Sequence, residues 1–276
     1  MRHSSSSPFL GRPADQLSLS LKALLALALG LSSGACSAPT ATAMPLLASI
    51  GLDGDLSIRD NSSGLGGASA NSSFDELGVG ENEAGFGGLA RIGFGGAELS
   101  IAAVGLDFEG SGTTQSQFEF NGEVIAANTD VNTDIGLQMF RGLFTWDLIP
   151  IGGVDFGIGV GATLLDLDFD LQDTAGLARV RTDQLIPVPL IGARAAWTWG
   201  PVNLRADVGG LVIKYDGDEA TVLDGEISAG VELLDIGDLV VGYRVTRIDA
   251  VYEDENAKVD TDVGLEGYYF GLQFGF

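Results

Sequence analysis

From Leu47 to Phe276 the chain alternates apolar residues with polar residues or glycine, and no stretch of comparable quality has helical spacing. A two-residue period marks strands with one buried face. Ten segments carry it: 47–58, 84–94, 97–108, 131–147, 153–170, 184–199, 202–215, 220–234, 238–252 and 260–276. Gly95-Gly96, Pro150 to Gly152, Gly200-Pro201 and Asp235 to Gly237 are tight turns, whereas 59–83, 109–130, 171–183 and 253–259 are longer and polar. Short and long connections therefore alternate, as they do in membrane barrels with short turns at one end and long loops at the other. The expected fold is all-β, a transmembrane antiparallel up-and-down β-barrel of about ten strands. Eight or twelve strands are the alternatives, eight resulting if the first segment and one hairpin are misread.

Composition narrows the class further. The 276 residues carry 38 acids against 14 Lys plus Arg, a net charge of -24, yet 45% are apolar and mean hydropathy is +0.25. A disordered acidic chain is poor in large apolar residues, and nucleic-acid binding needs a basic surface that is absent here. Both classes are excluded.

The first 43 residues read as an address rather than a fold. Arg2, Arg12 and Lys22 precede or punctuate the apolar stretch Leu17 to Leu31, whose longest unbroken run, Ala23 to Leu29, is far short of the roughly 20 residues of a membrane-spanning helix. This predicts a secretory signal peptide over 1–43 and a barrel over 44–276. Cleavage after Ala35 and cleavage after Ala43 both fit the small-residue rule. A third option is lipidation of Cys36 in Ser33-Gly34-Ala35-Cys36, although the usual Leu three places before the Cys is missing. Residues 1–43 hold Asp15 and three bases, so residues 44–276 carry 37 acids and 11 bases, a net charge of -26. The only His (His3) and only Cys (Cys36) also fall in this segment. Disulfides, His-ligated metals and His-based catalysis are thereby excluded from the expected mature chain.

In the last strand Tyr268, Phe270, Leu272, Phe274 and Phe276 take every second position and project from one face. Ending on Phe after such alternation resembles the C-terminal assembly signal of bacterial outer-membrane barrels, which the barrel-assembly machinery recognises. Gly242-Tyr243-Arg244 followed by Gly-Tyr-Tyr-Phe-Gly-Leu-Gln-Phe resembles the C-terminal hairpin of small outer-membrane β-barrel families of the OmpW and OmpA class. That resemblance covers about the last 50 residues and implies a bacterial outer-membrane location, with outer-membrane lipid and lipopolysaccharide as surroundings. It supplies no catalytic residues. Phe94, Phe144, Trp146, Trp197 and Trp199 lie near short turns, as one interfacial girdle would. Phe108, Phe169, Tyr215 and Tyr252, at the opposite strand ends, form the expected outer girdle.

The same phasing puts Arg91, Arg141, Arg194, Arg205 and Arg244 opposite the apolar faces, with Glu98, Asp147, Asp155, Asp207, Glu226 and Glu232. An Arg or Lys facing lipid at the midplane costs about 2–4 kcal/mol, so the charged face is the lumen. Arg suits a carboxylate network there because its planar fork binds bidentately; the alternative is a narrow aqueous path. Gly157, Gly159 and Gly161 fall on one lumen-facing stripe, leaving space or allowing strong curvature. Apolar residues occupy even positions in 154–160 and odd positions in 165–171, and the same slip occurs near Ala103-Val104 and Met139-Phe140. A β-bulge at each is the expected cause. Asp166, Asp168 and Asp170 then form an acidic stripe near the outer mouth, joined by loop acids Asp216, Asp218, Glu219, Glu253, Asp254 and Glu255. There is no Ca2+ loop motif; loose divalent-cation bridging to lipopolysaccharide is the expectation, with no dedicated metal and no cofactor.

Three function classes follow: a non-enzymatic envelope or surface component, a narrow channel or transporter for small or apolar solutes, and an outer-membrane enzyme. Barrel hydrolases and proteases, as families, use an imidazole poised to move protons near neutral pH. With the only His in the leader, the expectation is no enzyme.

Overall fold

The computed structural model describes residues 39–60, 69–80, 82–115, 117–120, 123–151, 153–215, 218–233, 236–253 and 257–276. Cys36 and the rest of the proposed leader through Ala38 lie outside them, as do Asp216, Asp254 and Glu255. The strands in chain order are β1 (Thr40–Asp60), β2 (Ser69–Ser73), β3 (Glu83–Gly93), β4 (Ala97–Thr113), β5 (Phe118–Phe120), β6 (Glu123–Ile125), β7 (Asp130–Ile151), β8 (Val154–Asp173), β9 (Arg179–Trp199), β10 (Val202–Tyr215), β11 (Asp218–Leu233), β12 (Gly237–Glu253) and β13 (Ala257–Gly275). Ten of them, β1, β3, β4 and β7 to β13, pair antiparallel in that order, and β13 returns to β1 through Thr42↔Gly275 to Asp60↔Ala257. The ten-stranded closed barrel expected from the alternation is the fold. β2 extends the tip of β1, and β5 with β6 forms a separate hairpin.

Several polar segments expected to be loops are strand instead. β4 continues to Thr113, β8 to Asp173, β9 begins at Arg179 and β13 at Ala257. β7 and β8, at 22 and 20 residues, are about twice the 9–11 residues a tilted strand needs to cross a bilayer. The surplus stands above the membrane, at the end away from the tight turns.

That surplus explains the changes of phase, and the expected bulges are not there. Pairing runs without a slip through Ala103↔Phe140, Val104↔Met139 and Phe140↔Leu164. The register shift between β7 and β8 falls at Asp147/Ile149, beside the tight turn. What changes at Leu164 is the solvent on each side of an uninterrupted strand. Below it, Val154, Phe156, Ile158 and Val160 face outward and are exposed on the wall. Above it, Asp166, Asp168 and Asp170 face outward and Leu165, Phe169 and Leu171 inward, buried. β4 inverts in the same way: Leu99 and Ile101 outside give way to Asp107 and Glu109, while Glu98 and Ser100 inside give way to Val104, Leu106 and Phe108. Lipid rewards an apolar outer face and water a polar one, so a barrel that projects from the bilayer must exchange its faces.

The upper interior is a packed apolar core. Phe108, Val131, Ile135, Met139 and Leu171 are fully buried in it. The expected outer girdle is therefore corrected: Phe108 and Phe169 point into this core, where apolar side chains escape the water around the upper wall. The side chains of Tyr215 and Tyr252 lie outside the described set. The outward aromatics at this boundary are Phe86, Phe140, Tyr243 and Tyr268, with the rings of the last two 4.9 Å apart. The lower girdle is as expected: Phe144 packs edge-on against Trp146, and Trp197 stacks on Trp199.

The turn Phe74–Val79 enters the upper end. Leu77 and Val79 are buried in the core, and the turn lies against the inward positions Gly110 and Gly112 of β4. A Cβ at Gly110 would stand 2.0 Å from the carbonyl oxygen of Gly78, and one at Gly112 would stand 1.9 Å from that of Glu76. Only glycine admits that approach.

Candidate functional site

At membrane level the lumen holds the side chains that alternation placed there. Asp224 of β11 stands between Arg141 of β7 (Nε–Oδ1 3.0 Å) and Arg244 of β12 (Nη2–Oδ2 2.8 Å), and accepts a further hydrogen bond from Thr246 (3.1 Å). Glu226, two residues along, lies 3.6 Å from Arg141 and 3.8 Å from Arg91, and accepts a hydrogen bond from the Tyr269 hydroxyl at 2.7 Å. Asp224 has no solvent exposure. A buried carboxylate between two guanidiniums offsets the desolvation of all three groups, which none would survive unpaired.

Nearer the tight turns a second group forms. Glu98 of β4 pairs with Arg194 (2.7 Å) and Arg205 (2.7 Å); Arg194 also bonds Asp147, and Arg205 bonds Asp207 (2.5 Å). Arg91 donates to Gln273 Oε1 at 2.7 Å, and Gln273 in turn donates to Asp238 at 3.4 Å. The five arginines, Asp207 and Glu226 expected in the lumen all face it. Asp155 and Glu232 do not join them: both are exposed beside tight turns, outside the ion pairs found among the described residues. The strand ends there, so their carboxylates reach water.

Sequence reading missed the centre of the network. Asp224 shares the phase of Glu226, and Tyr269 alternates with the outward Tyr268 and Phe270, so the two-residue period carries both inward positions. Tyr268, Phe270, Leu272, Phe274 and Phe276 do face outward together. The inward glycines Gly159 and Gly161 do not leave room: a Cβ at Gly159 would stand 1.8 Å from the carbonyl oxygen of Phe144. They permit curvature.

Above the lipid band the wall is acidic. Asp166, Asp168 and Asp170 lie on the outside of the upper barrel rather than at its mouth. Arg179 bonds Asp170 and holds its carboxyl below the usual range, and Arg181 lies 3.2 Å from Asp168. On the opposite wall, partial desolvation and then the charges of Asp249, Asp53 and Asp55 push the Asp262 carboxyl up. The side chains of Asp218, Glu219 and Glu253 are outside the described set. Among the described residues no three or more His, Cys, Asp or Glu side chains are grouped to hold a metal ion.

A closed antiparallel barrel with an apolar outer band, aromatic girdles and an ion-paired interior defines a bacterial outer-membrane β-barrel. No protein-family model and no curated protein matches the sequence. The fold is similar to that of the outer membrane protease OmpT from Escherichia coli, at 12% identity with a TM-score of 0.52, covering 88% of this chain and all of that one. Lower similarity links it to the translocator domain of the autotransporter NalP from Neisseria meningitidis (13% identity, TM-score 0.31, 93% of this chain and 96% of that). The toluene transporter TodX from P. putida follows (11% identity, TM-score 0.28, 88% and 92%). What the chain shares with OmpT is the fold.

Proposed function

We propose that the protein is an occluded, non-enzymatic envelope barrel whose lumen is a structural filling and whose working surfaces are its outer wall and upper end. The observation that carries this reading is Asp224, sealed from solvent between Arg141 and Arg244, with the apolar core stacked above it and the turn Phe74–Val79 above that. An aqueous path through such an interior requires three separate packings to open. Catalysis is set aside because the only imidazole is His3. In this reading the outward face of β13 serves the assembly machinery, lipid and lipopolysaccharide surround the band, and the acids above it accept divalent bridging.

The second reading, a narrow route for small or apolar solutes, is favoured by one observation. A vestibule of about 200 Å3 at the tight-turn end is lined by Arg91, Arg205, Asn203 and Gln273, and Nε and Nη2 of Arg91 have no hydrogen-bond partner there. Planar-bilayer recording decides between the two. The refolded protein, and a variant with Arg141→Gln and Arg194→Gln, are expected to give no stepwise conductance; steps that change with the variant establish the route.

Maturation belongs to the same proposal. Thr40 to Ala43 pair on one side with Gly93 to Ala90 of β3, and Thr42 and Ala43 pair with β13 on the other. Cleavage after Ala43 removes these paired residues, whereas cleavage after Ala35 leaves β1 whole. The intact mass of the protein recovered from outer membranes is expected to correspond to a chain starting at Cys36, with any acyl mass reporting lipidation; a start at Met44 refutes it.

A further inference from the structure

β9 and β10 separate part-way up the wall. Their pairing runs from Val202↔Trp199 to Gly210↔Ile191 and stops there, although β9 continues upward to Arg179 and β10 to Tyr215. Each stays paired on its other side, β9 with β8 through Gln172↔Arg179 and β10 with β11 through Tyr215↔Asp218. The wall therefore carries a seam between two continuous strands. The sequence accounts for it. Pro187 and Pro189 lie just above the last pair, and β9 passes both in unbroken register with β8. In an antiparallel strand alternate residues turn their N–H groups to opposite neighbours, so the donors these prolines lack are those that would face β10.

The seam starts within the lipid band. Pro187, Pro189 and Ile191 on β9 and Val212 on β10 face outward and are exposed. Their outward neighbours Leu164 of β8, opposite Pro187, and Leu223 of β11, opposite Gly210, are apolar too, and the acids of β8 begin above them at Asp166. An unpaired N–H is costly at this depth, and two positions of the β9 edge carry none. Inside, Val188, Leu190 and Val222 form an apolar cluster of their own, with Ile248 packed on it. Two inward aliphatic side chains beside the seam are not closed over. Ile186 is 37% exposed, whereas Leu165, opposite it on β8, is buried; Leu211 on β10 is half-buried.

The geometry points to a docking slot for one acyl chain of an outer-leaflet lipid, held between β9 and β10 with Ile186 and Leu211 as its inner contacts. Lipid covers the wall on both sides of the seam, so the occupant is continuous with an interface the barrel already has. A polar ligand finds no partner among these side chains, and an added β-strand finds two donors missing from the edge it would pair with. The slot opens onto the apolar cluster and not onto the ion-paired lumen, since Asp224 sits opposite Gly209, where β9 and β10 are still paired. It goes beyond the occluded-barrel reading and holds whether or not the lumen conducts.

The test uses the full mature chain refolded into vesicles of phosphatidylethanolamine and phosphatidylglycerol, with a trace of phosphatidylethanolamine that carries a photoactivatable diazirine on one acyl chain. After irradiation, peptide mass spectrometry locates the adducts. Outward Ile191 is labelled by the surrounding lipid and serves as the reference. Ile186 and Leu211 are expected to be labelled as well, while Leu89, inward and buried on β3 and paired on both sides, is labelled several-fold less. Pro187→Val with Pro189→Val restores the two donors; it is expected to lengthen the β9–β10 pairing and to cut labelling of Ile186 and Leu211 several-fold, with Ile191 unchanged. Ile186→Trp, which fills the slot from one side and leaves the backbone donors as they are, is expected to do the same at Leu211. Heat-modifiable gel migration checks that each variant folds. Labelling confined to outward residues overturns the slot. So does labelling of Leu89 equal to that of Ile186, which marks an interior open to lipid at large, and so does labelling of Leu211 that neither variant reduces. Bilayer conductance is read separately, so failure of this site and failure of the occluded-barrel reading are distinguishable.

Discussion

Asp224→Ala is expected to destabilise the barrel by about 3–5 kcal/mol, the range found when one partner of a buried ion pair is removed. The substitution leaves Arg141 and Arg244 facing each other without the carboxylate between them. Equilibrium unfolding in urea from lipid vesicles, followed by the fluorescence of Trp146, Trp197 and Trp199 in the lower girdle, measures the loss. Asp155→Ala, at an exposed position, is the control and is expected to fall within about 0.5 kcal/mol of the unaltered protein. Two outcomes separate a sealed lumen from a wet one. In a water-filled lumen the stranded guanidiniums are solvated, and the loss shrinks to the roughly 0–1 kcal/mol of an exposed pair. In a sealed one, replacing the cluster together, Asp224→Leu with Arg141→Met, Arg244→Met and Glu226→Gln so that no carboxylate is left without Arg141, recovers most of the loss, because well-packed uncharged groups of similar size replace buried charge at little cost. A small effect of Asp224→Ala refutes the occluded-barrel reading at its centre.

Phe108→Ala is expected to cost about 3–5 kcal/mol, the cavity penalty for a buried aromatic ring. Phe108 has no solvent exposure and lies among inward residues of the upper barrel. Phe86→Ala, opposite Gly105 and so three residues lower than Phe108, on the outer wall and largely exposed, is expected to cost far less, since lipid chains close over the lost ring. The same unfolding measurement compares them. Equal small effects show that Phe108 faces lipid, as its place near a strand end first suggests, and that the exchange of faces above the membrane is wrong. Together the two substitutions probe the two fillings of the barrel, one ionic and one apolar.

Much of this architecture is legible in the residues. Alternation yields about ten strands, because side-chain direction in a strand has a period of two whatever the neighbours are, whereas closure is seen in the pairing of β13 with β1. The same period places Arg91, Arg141, Arg194, Arg205 and Arg244 inside, and the cost of charge in lipid states which face is which. It places Asp224 inside as well. What alternation leaves open is who meets whom: Arg141 and Asp224 are 83 residues apart, and their contact depends on strand tilt and stagger around the closed barrel.

The change of phase near Leu164 shows the division most sharply. From sequence alone, an apolar set that moves from even to odd positions reads as one inserted residue, since a bulge and a change of solvent leave the same trace. Unbroken pairing through Phe140↔Leu164 distinguishes them. The sequence by itself determined an up-and-down set of about ten strands, the charged lumen face at membrane level and the outward terminal aromatics, because these depend on local period and on the cost of charge in lipid. Only the tertiary structure decided that the strands outrun the bilayer, that Phe108 and Phe169 are core, and that Asp224 is the hub of the lumen. Each of those depends on the height of a residue above the membrane or on its register with a distant strand, and neither quantity is carried by the local order of side chains.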